Sequence, residues 1–327
     1  MDNQFLTLMD LKNSLEPGDG AIAQVAEILN EENEILHDIP WARGNLLTGD
    51  VHYSRAAMPT AEVRKINEGI LATASKKVAH TDTCIELSTR SIVDLRELKL
   101  APDGNQYLLQ EARPHIAVLG EDLAASMFYG SDAAGVLGFA ARYGSLTGSN
   151  KRQIIDAEGT GTNLGSVYIV KWDTTEVTGI YPKNSTAGLD MMKLPIQLVP
   201  ENSNEKKTFA AQVTDFSWMF GLKVRDPRYV ARVCNIDMDD MATDETARQK
   251  LFDLLITAKN RIRKVTQGRV VMYVSPDLFT ILEIAAFNKV NMALGYRDVT
   301  ADTRVLSFSG IPIRCNDCQL IEEKKVV

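Results

Sequence analysis

The sequence predicts an α+β fold, and three observations predict it. A long helical stripe runs between Asp103 and Gly130, and a polar, β-rich stretch runs from Leu46 to about Val93. The C-terminal part mixes helices and strands without regular βαβ repeats. A chain of 327 residues exceeds the usual size of one compact domain, which predicts two or more subdomains.

The composition is that of an ordinary folded protein, with 45% hydrophobic and 24% charged residues. A net charge of -7 argues against a dedicated nucleic-acid binder, which would carry a basic excess. The amino terminus lacks the pattern of a secretory signal, and we expect no membrane span. Four cysteines are too sparse for a disulfide framework, so we expect free thiols.

The first 44 residues contain one helical pattern, formed by Ile22, Val25, Ile28 and Leu29 after the breaker at 17–20. An acidic stretch at 31–34 follows it. One interpretation is a surface helix with a solvated face. The other is an arm that packs on a neighbouring subunit.

The stretch from Leu46 to about Val93 predicts a long polar hairpin, because polar residues occupy most alternate positions and large apolar residues are few. A two-stranded hairpin is marginal in water, so this one should gain stability from another surface. That surface belongs either to its own domain or to another chain. Lys76 and Lys77 are candidates for intersubunit ion pairs or, as an alternative, a covalent isopeptide link.

The long helical pattern at 103–130 has an apolar stripe and spans roughly 40 Å at 1.5 Å per residue. Pro114 predicts a kink or a helix start nearby, because proline removes a backbone donor. Gly130 predicts the C-terminal end. The stripe consists of Ala112, Ile116, Leu119, Leu123 and Met127.

The remaining elements follow from local patterns. The predicted strands lie at 166–172 and 176–180, joined by a turn at 173–175, and at 270–274. Residues 209–213 and 216–222 are predicted sheet material, and 229–236 forms one more strand or a short extended segment. Loops are predicted at 131–165 and 201–207. A helix should run from Asp244 to about Thr266, and a second should open at Ser275-Pro276-Asp277. A final hairpin is predicted at 304–308 and 311–314, turning at Ser309-Gly310.

Sequence motifs for chemistry are weak throughout the chain. The glycines at 159–165 precede a strand and lack the spacing of a phosphate cradle, so they predict a loop. Cys315 and Cys318 have metal-ligand spacing, but no second pair or nearby histidine completes a zinc site. We therefore predict no catalytic, cofactor-binding or metal-binding residue.

Two charged segments also favour structural roles. Asp237, Asp239 and Asp240 lack the glycine and final glutamate of a calcium loop, and they are typical of acids near a helix start. The basic stretch at 259–269 is typical of a helix end. A hydrolase whose site is assembled in space stays open as an alternative.

Several strings, in order along nearly the whole chain, resemble the major capsid proteins of short-tailed and related bacteriophages, which have the Hong Kong ninety-seven coat fold. The longest is GLKVRDPRYVAR at 221–232, and FSGIPIR stands at 308–314. Further strings lie at 20–30, 34–36, 44–46, 81–84, 127–131, 179–183 and 235–237. Pro114 departs from the family pattern because it falls inside the expected spine helix.

The resemblance implies four parts. They are an N-terminal arm at 1–45, an extended β-hairpin loop at 46–92, a peripheral domain with the spine helix and a β-sheet at 93–236 and 306–327, and an axial domain at 237–305. In this arrangement the polar hairpin would lie across a neighbouring subunit.

The resemblance also implies a function in the virion, for a protein made in the cytoplasm of a host bacterium. Copies of the chain would assemble into hexamers and pentamers of an icosahedral shell around double-stranded DNA, without sequence-specific binding, cofactor or membrane. Scaffolding, portal and decoration proteins are the candidate partners. The alternatives are an encapsulin-like nanocompartment shell and a soluble hydrolase.

A charged cluster offers further candidate contacts between subunits. Arg225, Asp226 and Arg228 flank Pro227, and complementary charge often sets the register between partners. An ion-pair network within one subunit would have the same sequence pattern. Together with Lys76 and Lys77, these residues are the predicted intersubunit contacts.

Overall fold

The structure is a computed structural model that describes residues 34–201, 204–265, 268–287, 294–300 and 303–327. The helix predicted at 22–29 lies outside the described residues. The α+β class is confirmed, because the described chain contains both long helices and two large sheets.

Seven α-helices are described, two of them long. In chain order they are α1 Glu34–Asp38, α2 Leu95–Leu100, α3 Gly104–Tyr129, α4 Phe139–Arg142, α5 Met238–Thr243, α6 Glu245–Arg261 and α7 Pro276–Phe287.

Fourteen strands are described, and β3 and β9 are much longer than the rest. They are β1 Trp41–Arg43, β2 Gly49–Ala57, β3 Lys76–Asp94, β4 Ile154–Asp156, β5 Leu164–Trp172, β6 Val177–Tyr181, β7 Leu189–Lys193, β8 Gln197–Glu201, β9 Asn204–Val224, β10 Val230–Asp237, β11 Arg269–Val274, β12 Leu294–Thr300, β13 Thr303–Phe308 and β14 Ile311–Cys315.

The first sheet has the order β1-β6-β9-β3-β2, and β7 and β8 also pair with β9. β9 is its central strand, and Phe216, Trp218 and Phe220 alternate with partly exposed residues along it, so every second side chain faces the core. The predicted hairpin is present as β2 and β3 in antiparallel pairing. The loop predicted at 201–207 is too long, because β8 ends at Glu201 and β9 begins at Asn204.

The second sheet has the order β12-β13-β14-β11-β5-β10-β4. Although the turn after β5 is as short as predicted, β5 belongs to the second sheet and β6 to the first. The chain therefore crosses between sheets at 173–175. This sheet also combines β5, β10 and β14, from the predicted peripheral domain, with β11 and β12, from the predicted axial domain. The division into domains stays a prediction.

Helix α3 is continuous from Gly104 to Tyr129 and contains Pro114. The alternative of a helix start near the proline is wrong, because the Asp103 carboxylate caps the helix well before it by accepting hydrogen bonds from Asn105 and Gln106. The predicted end is confirmed at Tyr129. All five residues of the predicted stripe are buried.

Two apolar cores lie on opposite faces of the second sheet. Along β5, Tyr168 and Val170 face the core that contains α3 and the first sheet, whereas Val167 and Ile169 face α6 and α7. This alternation follows from the period of two in a strand. One strand thus joins both cores, which explains why β5 is buried along its whole length.

Phe128 of α3 lies where helix and sheets meet. Its ring centroid is 5.2 Å from that of Tyr168 and 5.7 Å from that of Tyr273, both in the second sheet. It also lies 5.8 Å from the ring of Phe139 in α4. Aromatic contacts at these distances contribute beyond simple burial.

Phe128→Ala should lower the free energy of unfolding by about 3–5 kcal/mol, because it leaves a cavity at this junction. Val118→Ala on the same helix, at a side chain that is 50% exposed, should change it by about 0.5 kcal/mol or less. Urea denaturation of both variants measures the difference. Equal effects would contradict the central position of Phe128.

Candidate functional site

The tip of the hairpin, residues 58–75 between β2 and β3, is exposed at every position. It nevertheless carries large apolar side chains. The exposed fractions are 95% for Val63, 94% for Ile66, 61% for Ile70 and 72% for Leu71. Because burying such a side chain stabilises by about 1.5–3 kcal/mol, this apolar tip is a surface that a partner would cover.

Local hydrogen bonds shape the turn of the tip. Arg64 Nε donates to the Glu68 carbonyl at 2.8 Å, and the Lys65 N–H donates to the Glu68 carboxylate at 3.2 Å. Asn67 adopts a left-handed conformation with φ of 68° in this turn. Thr73 Oγ1 donates across the hairpin to the Thr60 carbonyl at 3.3 Å. These bonds shape the turn but do not join it to the subunit body.

The base of the hairpin, in contrast, is fixed by a buried charge cluster around Asp82, which is 6% exposed. The carboxylate accepts a hydrogen bond from Arg142 Nη2 of α4 at 2.7 Å. Its other oxygen lies 3.4 Å from the Val224 backbone nitrogen at the end of β9, and also 3.4 Å from His52 Nδ1. Asp82 thus joins both hairpin strands to α4 and β9.

Asp50 makes a second connection on the other hairpin strand. Its carboxylate lies 2.6 Å from Lys223 Nζ of β9 and accepts a hydrogen bond from the Asn45 N–H at 3.2 Å. The Asn45 side chain in turn bonds the Val51 backbone, donating to its carbonyl at 2.7 Å and accepting from its N–H at 2.8 Å. We call Asp50, His52, Asp82, Arg142 and Lys223 the hairpin anchor.

The His52 ring, buried in the anchor, stacks on the ring of His80 at 5.7 Å between centroids. Ser54 Oγ and His80 Nε2 lie 2.8 Å apart on the exposed side. Burial lowers the pKa of His52 below its ordinary value, although Asp82 acts in the opposite direction; Lys223 and His80 lower it further.

The predicted contact residues fall at two places. Lys76 and Lys77 are exposed at the start of β3, and Lys77 lines a depression with Tyr53, Lys223 and Arg225. The structure therefore brings Lys77 and Arg225 to one basic surface beside the anchor. Their intersubunit role stays a prediction.

Asp226 and Arg228 pair with each other within the chain. Arg228 Nη2 donates to the Asp226 carboxylate at 2.7 Å, and Arg263 Nη1 lies 3.6 Å from it. Burial raises the pKa of Asp226, but the hydrogen bonds from Arg228 outweigh burial, and the net pKa is lowered. These contacts match the alternative of an ion-pair network inside one subunit, and the intersubunit assignment stays a prediction.

Two other buried carboxylates fasten chain segments in the same way as Asp82. Asp38 at the end of α1 pairs with Arg269 and accepts a hydrogen bond from the Tyr273 hydroxyl at 3.0 Å. Glu323 near the C-terminus lies 2.7 Å from Arg232 Nη2 of β10 and accepts a hydrogen bond from the Tyr129 hydroxyl at 2.6 Å.

The acidic residues at 237–240 and the glycine-rich loop at 159–165 make structural contacts with each other. Asp237 caps α5 by accepting hydrogen bonds from the backbone of Asp239 and Asp240, and the Gly161 N–H donates to it at 2.8 Å. Within the described part of the chain, no group of three or more His, Cys, Asp or Glu could hold a metal ion. No described helix combines the length and apolarity needed to cross a membrane.

Sequence reasoning missed the hairpin anchor. Asp82 is separated from Arg142 by 60 positions and from Val224 by 142, so no local spacing connects them. The one available signal was Asp82 itself, an acid inside a predicted strand. The string at 81–84 contains it.

Comparison with known proteins identifies what the fold resembles. A family model described as major capsid protein GP7 matches residues 17–327. The solved structure of bacteriophage Epsilon15 matches with a TM-score of 0.70 at 22% identity, over 89% of this chain and 88% of that chain. At that identity the likeness shows a shared fold.

Two further structures match less well. The capsid of bacteriophage JBD30 has a TM-score of 0.49 at 10% identity, over 85% of this chain and 88% of that chain. The encapsulin of Synechococcus elongatus has a TM-score of 0.42 at 10% identity, over 62% of this chain and 87% of that chain. No curated protein sequence matches the chain.

Asp82→Asn should lower the free energy of unfolding by about 3 kcal/mol, because it leaves the Arg142 guanidinium buried without its counter-charge. The matched control is Asp215→Asn in the same sheet, whose partner Arg90 is 59% exposed; its effect should be small because water solvates that arginine. Chemical denaturation measures both. An unchanged free energy of unfolding in Asp82→Asn would contradict the role of the hairpin anchor.

Acidification should destabilise the chain in part through His52. Because the folded-state pKa of His52 is lowered, the unfolded chain binds the proton more readily, and stability is lost as pH falls through and below about 6.5. His52→Gln should therefore show a shallower loss of stability between about pH 7 and 5 than the wild type. Parallel slopes in denaturation series at these pH values would refute this contribution.

Proposed function

Because the chain belongs to the GP7 family of major capsid proteins, we propose that its copies assemble through the exposed hairpin into the hexamers and pentamers of a phage head shell. The head shell role itself follows from the family. The finer statement, that the hairpin carries assembly, is supported by the apolar tip at 58–75.

The reach of the hairpin supports contact with another copy. β2 spans nine residues and therefore extends about 30 Å at 3.3 Å per residue. The tip lies beyond the end of β2. An arm of this length, held at its base by Asp50 and Asp82, carries its apolar side chains away from the cores of its own subunit.

Burial of the apolar tip would contribute free energy to a shell. Covering Val63, Ile66, Ile70 and Leu71 would contribute on the order of 6–12 kcal/mol as an upper bound, before the costs of association. Each subunit in a closed assembly both gives and receives such a contact. Modest contacts, repeated many times, stabilise the particle.

The proposed role is structural, with no catalysis and no cofactor. The buried acids Asp38, Asp82 and Glu323 are each paired with an arginine of the same chain, which is expected of ion pairs that hold segments of the fold together. The net charge of -7 suits a shell that encloses double-stranded DNA without reading its sequence. Particles that contain DNA would distinguish a head shell from the encapsulin-like alternative.

We retain the predicted division into parts as a proposal. The hairpin would be the extended loop at 46–92, and α3 would be the spine helix of the peripheral domain. Residues 237–305 would form the axial domain, and 1–45 the arm. Scaffolding, portal and decoration proteins stay predicted partners.

Replacing Val63, Ile66, Ile70 and Leu71 together by serine should abolish shells and rings while leaving the subunit folded. The reason is that these side chains are exposed in the single chain, so their loss affects association more than folding. Sedimentation and negative-stain electron microscopy measure assembly, and circular dichroism measures folding.

The control for this variant is Ala61→Ser with Ala72→Ser, which adds hydroxyl groups to the same tip without removing a large apolar group. It should assemble as the wild type does. Normal particles from the fourfold serine variant would refute the role proposed for the tip.

A further inference from the structure

The basic depression beside the hairpin anchor has a volume of about 410 Å³. It is lined by His52 and Tyr53 of β2, Lys77 of β3, Lys223 of β9, and Arg225, which follows the end of β9. Three of these residues are cationic and none is acidic. The volume falls in the range of about 300–1,000 Å³ that is usual for small-ligand pockets.

Two of the three cations in the depression lack a close counter-ion. Lys223 Nζ lies 2.6 Å from the Asp50 carboxylate, so its charge is matched. Arg225 Nη1 approaches the Glu176 carboxylate only to 3.9 Å, which is too long for a hydrogen bond. Lys77 is exposed and forms no ion pair within the part of the chain that the structure describes. The depression therefore carries an excess of positive charge.

The two uncharged lining residues add hydrogen-bonding capacity. Tyr53 is 62% exposed, and its hydroxyl group both donates and accepts. His52 is 6% exposed, and its Nδ1 has no hydrogen-bond partner among the described residues. The nearest carboxylate oxygen, on Asp82, is 3.4 Å away. Buried polar atoms without a partner are rare in folded proteins, and an ion or ligand beside them is one explanation.

The types of cation favour a ligand with more than one negative charge. A guanidinium group binds a carboxylate or a phosphate through two parallel hydrogen bonds, whereas a lysine ammonium acts as a point charge. Arg225 and Lys77 supply one group of each type, from different segments of the chain. A diphosphate has enough charge and enough acceptor oxygens to engage both groups at once.

We propose that this depression is a binding site for a small phosphorylated anion of the diphosphate class. Arg225 and Lys77 neutralise its charge. Lys223 donates to it as well, because an ammonium group has three N–H donors and Asp50 does not use them all. The Tyr53 hydroxyl group closes the site on its exposed side. This site is a property of the single chain and does not depend on assembly into a shell.

The charge and size of the site favour a small anion over nucleic acid. A protein that binds DNA through phosphates normally presents a basic stripe and a basic net charge. This chain has a net charge of -7, and the basic groups are gathered in one depression. A diphosphate fits that arrangement, whereas a DNA strand would extend beyond it.

A bound anion would connect both strands of the hairpin to the end of β9. Tyr53 belongs to β2, Lys77 to β3, and Arg225 follows β9, so that one ligand contacts all three segments. Because a ligand stabilises the state that binds it, occupancy should slow hydrogen–deuterium exchange of the β2 and β3 amides. Unchanged exchange of these strands at saturating ligand would overturn the placement of the site.

Calorimetric titration of the full-length chain with inorganic pyrophosphate tests the site, at an ionic strength held constant with sodium chloride. The wild type should show saturable binding. Lys77→Ala with Arg225→Ala should weaken it roughly tenfold or more, because both unmatched cations are removed. Circular dichroism checks that the variant is folded, which is expected because Lys77 is exposed and the Arg225 side chain is 47% exposed.

The matched control is Lys151→Ala with Arg152→Ala, which removes one lysine and one arginine at exposed positions outside the depression. It should leave the affinity within about twofold, since distant surface charges are screened by salt. Absence of saturable binding to the wild type would overturn the site. Equal losses in the two double variants would overturn it as well, because general attraction to positive charge would then explain the binding.

A short DNA duplex is the comparison ligand for the same titration. It should bind the wild type at least roughly tenfold more weakly than pyrophosphate, since the net charge of the chain repels it. Tighter binding of the duplex, lost in the Lys77→Ala, Arg225→Ala variant, would assign the depression to nucleic acid and overturn the small-anion site. These titrations do not involve particles, so the proposed shell function is tested separately from them.

Discussion

The pairing of Asp82 with Arg142, deep at the base of the hairpin, is the interaction on which the proposed assembly depends. A two-stranded arm has too little core to hold its own direction. Here a buried carboxylate joins it to α4 and to the end of β9, and Asp50 adds the bond to Lys223. Contacts within the subunit therefore already order the arm, so that less conformational entropy is lost when a partner binds.

A buried carboxylate paired with an arginine also holds each of the two ends of the described chain in place. Asp38 fastens α1 to the second sheet through Arg269, and Glu323 fastens the C-terminal segment through Arg232. Removing one member of such a pair is costly, because the other remains buried and charged. Each segment is thus held in one position on a body whose two cores meet at β5. A shell subunit needs this rigidity, since errors in arm direction would accumulate around a ring.

Local patterns predicted the parts of the fold that depend on local physics. The stripe on α3, the β2–β3 hairpin and the turn at Ser309-Gly310 all follow from periodicity or turn chemistry. β7 and β8 were not predicted, because short exposed edge strands lack a clear alternation. The hairpin anchor was not predicted either, since Asp82 and Arg142 are 60 positions apart. The apolar tip was underestimated for a related reason: its large side chains are few and irregularly spaced.

Hydrogen–deuterium exchange of residues 58–75 tests the central claim most directly, because it compares the same backbone amides in the dissociated chain and in assembled particles. We expect rapid exchange in the dissociated chain, because the tip is exposed at every position and local hydrogen bonds shape its turn. Assembly should slow it markedly, while the amides of α3 should change little. Equal exchange at the tip in both states would contradict the view that a neighbouring subunit covers it.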